Sequence, residues 1–285
     1  MKKRIITTFL IVFSLTISAQ EKANRFFYEI TFKPKKDSTR MDRAIASLDI
    51  TEKGSFYSDY TNEIKDSTNQ AALEKAAKTG DIDMIFKSSK KPKFTYSIAK
   101  TYPDMKIQFI DIIGLDGKFF GYEEQVKFSW HILPEKKKIG AYNTQKATTE
   151  FGGRKWVAWF SSEIPFQDGP YKFHGLPGLI VKIEDYEGNY SWLLSGNKKE
   201  DNYTSPIKDI KTISKTKFEI AYADFRKDPL SSVRGQLAGL KSEHLNMQIP
   251  GSKGTLGDMM KKIEKETNDI FNSVDNPIEL PSKNK

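Results

Sequence analysis

From Phe94 to about Leu194 apolar and polar residues alternate almost without interruption, and this period of two limits the chain's folds more than any other feature. Successive side chains of a strand point to opposite faces, so the pattern predicts strands over 94–100, 106–113, 118–122, 126–133, 138–151, 155–161, 179–183 and 189–194. Asp116-Gly117, Gly152-Gly153 and Glu187-Gly188-Asn189 lie between them and supply the positive backbone angles of tight hairpins. Upstream, Phe26, Tyr28, Ile30 and Phe32 mark a first strand, and 44–50 with 54–60 read as a hairpin. Long amphipathic helices do not alternate with these strands, which excludes doubly wound and barrel-type α/β folds. The expected class is α+β, a mainly antiparallel curved sheet of half-barrel form with a few packing helices.

Helical spacing is confined to three places. A weak alanine-rich pattern lies between Asn62 and Gly80, a second over 218–227, and a third over 255–274, where Leu256, Met259, Met260, Ile263, Ile270 and Phe271 share one face. Thr255 and Asp258 form a capping pair at the start of the third. No repeat and no long linker divides the chain, so residues 21–285 are read as one domain and Ser282 to Lys285 as a frayed tail.

The first twenty residues have another purpose. Met1-Lys2-Lys3-Arg4, an uncharged apolar run from Ile5 to Ile17, then Ser18-Ala19-Gln20 have the three parts of a secretory signal peptide, too short in its apolar part to span a membrane. Residues 1–20 are expected to be removed, leaving an exported, soluble protein, periplasmic or extracellular, with no transmembrane span. It would not be a lipoprotein, because no cysteine follows the apolar run. Cleavage removes three cations and lowers the formal net charge from +9 to +9 − 3 = +6. The remaining lysines are scattered in short runs near turns, and no recognition module accompanies them, which argues against nucleic acid.

Reaction chemistry is sparsely signalled. His131, His174 and His244 stand singly with no ligand at metal spacing, so neither metal nor cofactor is expected. Ser162, Asp168 and His174 supply the residue types of a hydrolytic triad without a Gly-flanked nucleophile elbow; a secreted hydrolase using that region is the alternative reading. Gly251, Gly254 and Gly257 precede the last helix but match no phosphate-loop spacing.

The densest segment runs from Trp156-Val-Ala-Trp159-Phe160 through Gly169-Pro170-Tyr171-Lys172-Phe173-His174 to Gly175-Leu176-Pro177-Gly178-Leu179-Ile180. The last six residues read GLPGLI, and the segment resembles the GLPGLI family of exported bacterial proteins. Ile139-Gly140, Lys146-Ala147, Leu48-Asp49-Ile50 and Asn276-Pro277-Ile278-Glu279-Leu280 agree with that family's landmarks. Many relatives carry a cysteine near the place of Asn143 and Thr144, so a role tied to that thiol does not transfer. The resemblance implies no activity, cofactor or catalytic residue, because the family has none established. Pro170 and Pro177 fix φ while Gly169, Gly175 and Gly178 permit angles or approaches closed to other residues, so the motif reads as a rigid connection plugged into the core by Phe173, Leu176, Leu179 and Ile180.

Several strands are apolar on both parities, as at Trp156 beside Val157 and Trp192 beside Leu193. The expected function is therefore non-enzymatic binding, on an architecture similar to the half-barrel carriers of lipids and lipoproteins: helices on one sheet face, an apolar surface on the other. At least one of Trp130, Trp156, Trp159 and Trp192 would lie on that surface, with Phe173 or His174 at its rim. Arg154, Lys155 and Lys172 would favour an anionic amphipathic ligand, and a cell-envelope partner is the other occupant considered.

Overall fold

Phe26, Tyr28, Ile30 and Phe32 project from one side of the first strand, β1 (Ala23–Phe32), and all four are buried, whereas Phe27, Glu29 and Thr31 of the other parity are not. The alternation in the sequence is thus the burial pattern of a sheet with one inner face. In the computed structural model residues 21–61, 92–206, 209–237, 246–248 and 254–281 are described. The expected signal peptide, the alanine-rich segment after Asn62, His244, Gly251 and the terminal tail lie outside them.

Eleven further strands follow: β2 (Asp42–Ile50), β3 (Gly54–Asp59), β4 (Ser97–Thr101), β5 (Lys106–Ile112), β6 (Phe119–Gln125), β7 (His131–Ile139), β8 (Tyr142–Phe151), β9 (Arg154–Ser161), β10 (Leu179–Asp185), β11 (Tyr190–Glu200) and β12 (Lys211–Thr212). They form one sheet in the order β12-β6-β5-β4-β3-β2-β1-β11-β10-β9-β8-β7, antiparallel throughout except for β12 beside β6. Three helices complete the described elements: α1 (Lys215–Lys227), α2 (Ser231–Leu237) and α3 (Leu256–Asn272).

This order forces curvature. The chain steps outward from β1 to β6, then must reach β7, ten strand spacings away, through residues 126–130 alone. A flat sheet would put those strands about 48 Å apart at 4.8 Å per spacing, whereas six Cα steps reach roughly 20 Å. The sheet therefore curls its two halves toward each other without closing, and the short crossover carries Phe128 and Trp130 across the inner side. That confirms the curved antiparallel class.

The structure corrects three expectations. Residues 126–130 are not strand, and the single strand expected over 138–151 is the end of β7 and all of β8, turned at Gly140 with φ +56. Residues 211–212 and α2 were not legible, being too short to show a period. Helices and apolar surface do not divide between the two faces: core, helices and cavity share the inner one, while Leu193 on the outer face is 36% exposed. Thr255 caps α3 as expected, its hydroxyl accepting from the N–H of Asp258 while the Asp258 carboxylate accepts from the N–H of Thr255.

Candidate functional site

Half of the inner face is filled by the segment between β9 and β10. Residues 162–178 fold back into the curl, where Phe173 is fully buried and Leu176 almost so. The Phe173 ring lies within 6.5 Å of the rings of Phe128, Trp130, Phe151, Trp156, Tyr171 and Trp192, which makes it the hub of the core. Main-chain bonds shape the plug: Gly175 donates to the Gln167 carbonyl at 3.0 Å, Leu179 to Ile164 at 3.0 Å and Ile180 to Asp168 at 3.0 Å. The motif is a core plug, as its prolines and glycines predict. Trp156 is sealed with it, Trp192 is buried beside it, and Trp159 lies beneath the Lys137 ammonium at 3.8 Å.

Charges pin the plug. Lys100 of β4 is buried and gives its three N–H groups to the Asp168 carboxylate and to the carbonyls of Gly169, at 2.7 Å, and Phe173, at 3.3 Å. The Tyr102 hydroxyl also donates to Asp168. Burial alone would raise the Asp168 carboxyl, but the Lys100 ammonium and these bonds outweigh it and hold it below 3.8. Nearby, Arg154 ties the C-terminal segment to the sheet by donating to the Ile278 carbonyl at 3.0 Å, the Asn276 side chain at 2.6 Å and Asp185 at 3.1 Å. Lys172 is buried against Glu124 and Glu279.

His174 closes the plug against the crossover, its carbonyl accepting from the Trp130 indole at 2.8 Å and its ring edge-on to Phe128. Burial, then the charge of Lys100, push the imidazole down to about 4. It is therefore neutral in the fold at neutral pH. The folded value lies below the unfolded 6.5, so protonation favours the unfolded chain: this contribution is complete above pH 6.5 and falls away between 6.5 and about 4, by up to about 3 kcal/mol. Urea midpoints measured at pH 7.5, 6, 5 and 4 are expected to fall across that window in the parent. In His174→Gln they should fall less; equal slopes would overturn the assignment.

Among the described residues nothing fills the other part of the inner face. Between it and the helices α1 and α3 lies a cavity of about 1570 Å³. The sheet side presents aromatic rings in a nearly continuous belt: Phe32 stacks on Tyr190 and Tyr190 on Trp192, Trp192 meets Tyr171, then Tyr96, Phe109 and Tyr122 follow at centroid separations of 5.3–6.5 Å. The helix side presents Tyr222 and Phe225 of α1 and Met259, Ile263 and Phe271 of α3. α3 buries no residue, and its Ile270 is 51% exposed although it lies on the apolar face. Asp111 stands within this wall at 4% exposure, accepting from the Ile112 N–H at 2.8 Å and from Thr95, and burial pushes its carboxyl up to about 6.

Of the residues singled out in the sequence, Trp192 lines this cavity, while Phe173 and His174 belong to the plug rather than to its rim. Arg154 and Lys172 are spent on ion pairs, and Lys155 lies by the β8–β9 turn, so none forms a basic mouth. A hydrolytic triad is not assembled: Ser162 is exposed on the turn, whereas Asp168 is sealed with Lys100 and the His174 ring bonds the Lys172 carbonyl. Among the described residues no cluster of potential metal ligands occurs. Sequence reasoning missed Asp111 and Lys100, although both share strand parity with aromatic and aliphatic neighbours, Phe109 in one case and Ile98 in the other.

Comparison with known proteins bears on one segment and on the fold. Residues 153–182, which hold β9, the plug and the start of β10, match the profile of a family described as "Protein of unknown function (Porph_ging)". No curated protein matches the chain. Two solved structures share the architecture. "Structure of PNGF-II in C2 space group" has a TM-score of 0.52 and 12% identity over 72% of this chain, and "Structure of PNGF-II in P21 space group" has 0.51 and 13% over 72%. The chain spans about a third of the length of those structures, 33% and 34%. At such identity the likeness is one of fold.

Proposed function

We propose that the chain is an exported, non-enzymatic binding protein of the GLPGLI type that holds an apolar ligand between the inner face of its sheet and helices α1 and α3. The cavity of about 1570 Å³ carries this reading. Folded interiors pack to crystal-like density with few voids larger than a water molecule, and ligand pockets run roughly 300–1,000 Å³. A space larger than that, walled by stacked aromatic rings and roofed by an amphipathic helix with no buried residue, is shaped for an occupant. A ten-carbon chain transferred there gains about 8 kcal/mol at 0.8 kcal/mol per methylene, against an association cost of at least ~4 kcal/mol, which leaves useful affinity. Export is supported by the basic, apolar and small-residue pattern of residues 1–20.

Both parts are tested on protein recovered from the envelope fraction of its own cells. Sequencing should find the amino terminus near Gln20 or Glu21; an intact Met1 would count against export. The neutral dye N-phenyl-1-naphthylamine, titrated into the same protein, is expected to brighten saturably at one site per chain. Brightening that stays linear in dye, or none, would overturn the ligand reading.

A further inference from the structure

We propose that the cavity selects amphiphiles with a cationic head, and that Asp111 is the counter-ion of that head. The inference rests on the binding function proposed above and adds the ligand's polar chemistry. β5 sends Phe109 and Asp111, two residues apart, into the cavity wall. Lys106 and Ile112 bound that strand, and the Ile112 N–H and Thr95 satisfy part of the carboxylate without neutralising it. Among the described residues Asp111 forms no ion pair, whereas the buried Asp49, Asp168 and Asp185 have cationic partners; Asp59, also buried without an ion pair, accepts from the main-chain N–H groups of Thr61 and Lys93 and is not among the residues that line the cavity. An ionised carboxylate held in an apolar wall without a cation is costly, and an arriving ammonium offsets that cost.

The surroundings suit a cation in two further ways. Phe109 lies two residues from Asp111 on β5, and Tyr96 and Tyr222 line the same cavity, so aromatic rings able to attract an ammonium share the wall with the carboxylate. The cations of the cavity lining are largely engaged elsewhere: Lys93 with Asp42, Lys215 with Glu124, and Arg226 with the Phe271 carbonyl and ring. Lys36 and Lys262 also line the cavity but are exposed, so an anionic head paired with either would stay at the surface while its chain passed the carboxylate.

Three decyl probes, each below its micelle concentration, separate this inference from the reading beneath it: decyltrimethylammonium, decyl sulfate and the neutral 1,2-decanediol. Calorimetric titration at pH 7.5 is expected to show the ammonium binding about tenfold tighter than the sulfate, through attraction to a carboxylate and to ring faces in a desolvated site. Asp111→Asn should abolish the difference and leave the diol within about twofold of its parent value, which also reports that the variant is folded. If the parent binds sulfate and diol as tightly as ammonium, the cation preference is overturned and the apolar cavity stands. If no probe binds, both fall. The comparison within the parent protein needs no variant to fold.

Discussion

Gly178→Val is expected to yield no stably folded protein, and the reason is a lack of room rather than a lost contact. Gly178 adopts φ +147, and a Cβ there would lie 2.2 Å from the Ser161 carbonyl oxygen, 2.6 Å from its carbon and 2.8 Å from the Ser162 nitrogen. All three are backbone atoms, so no rotamer change relieves the overlap. Retreat is closed too, because Leu179 pairs with Ser161 in the β9–β10 ladder and its N–H is held by the Ile164 carbonyl at 3.0 Å. Moving that backbone withdraws Leu179 and Ile180, both fully buried, and drags the plug out of register. We expect a loss above about 4 kcal/mol, in the range reserved for named structural failures and a large part of a domain's whole stability. Gly175→Ala is the control. Gly175 has φ +90 but its nearest neighbour to an added Cβ is the Trp130 indole nitrogen at 3.9 Å, so only the backbone conformation is penalised, at roughly 1–2 kcal/mol. Urea denaturation of both variants decides it. Equal midpoints for Gly178→Val and the parent would show that the motif is not a close-packed plug.

The plug and the sheet were legible because their signals are local. Alternation gave β3 and β5 to within one residue and β1 and β2 to within three, Gly and Pro marked the plug at 169–178, and Thr255 with Asp258 gave the start of α3. Two kinds of feature were not. A charge on an inward parity is visible in sequence, as Lys100 is beside Ile98 and Asp111 beside Phe109, but its compensation is not, since Asp168 lies 68 residues from Lys100. Alternation also states that a strand has an apolar face without stating what covers it. Trp156 and Trp192 therefore suggest the same surface, yet of the two only Trp192 borders the cavity, a difference set by where residues 162–178 and helices α1 and α3 arrive. The two apolar parities read as two functional faces became one inner face, filled by the plug in one part and bordering the cavity in another, and one outer face on which Leu193 stays exposed, because curvature brings both halves of the sheet around the same interior.

Asp168→Asn should be the second severe variant, and it tests how the plug is anchored. The asparagine keeps the shape and the oxygen that can accept from Lys100, but it removes the charge that offsets a fully buried ammonium. Breaking one side of a buried pair typically costs about 3–5 kcal/mol, since the remaining ion keeps its desolvation penalty. Here the residual partners of Lys100 are the neutral carbonyls of Gly169 and Phe173, and a displaced Lys100 would disturb Phe173, whose ring meets six others. Lys100→Met alone should also destabilise, by leaving the buried Asp168 carboxylate with neutral donors such as the Tyr102 hydroxyl and the Gly169 N–H at 2.6 Å. Combining Lys100→Met with Asp168→Asn should cost less than the two single losses added, by roughly 1–3 kcal/mol of coupling, because the double variant buries no charge at this site. The acid limb supplies an independent readout. With its folded value held below 3.8, the Asp168 carboxyl stabilises the fold above that pH and loses the contribution as the pH falls through the folded value. The parent should therefore lose stability below about pH 4 more steeply than Asp168→Asn, beyond the loss that His174 produces at higher pH. Strictly additive single variants, with parallel acid limbs, would mean that Lys100 and Asp168 do not act as a pair and that the plug is held by its aromatic packing alone.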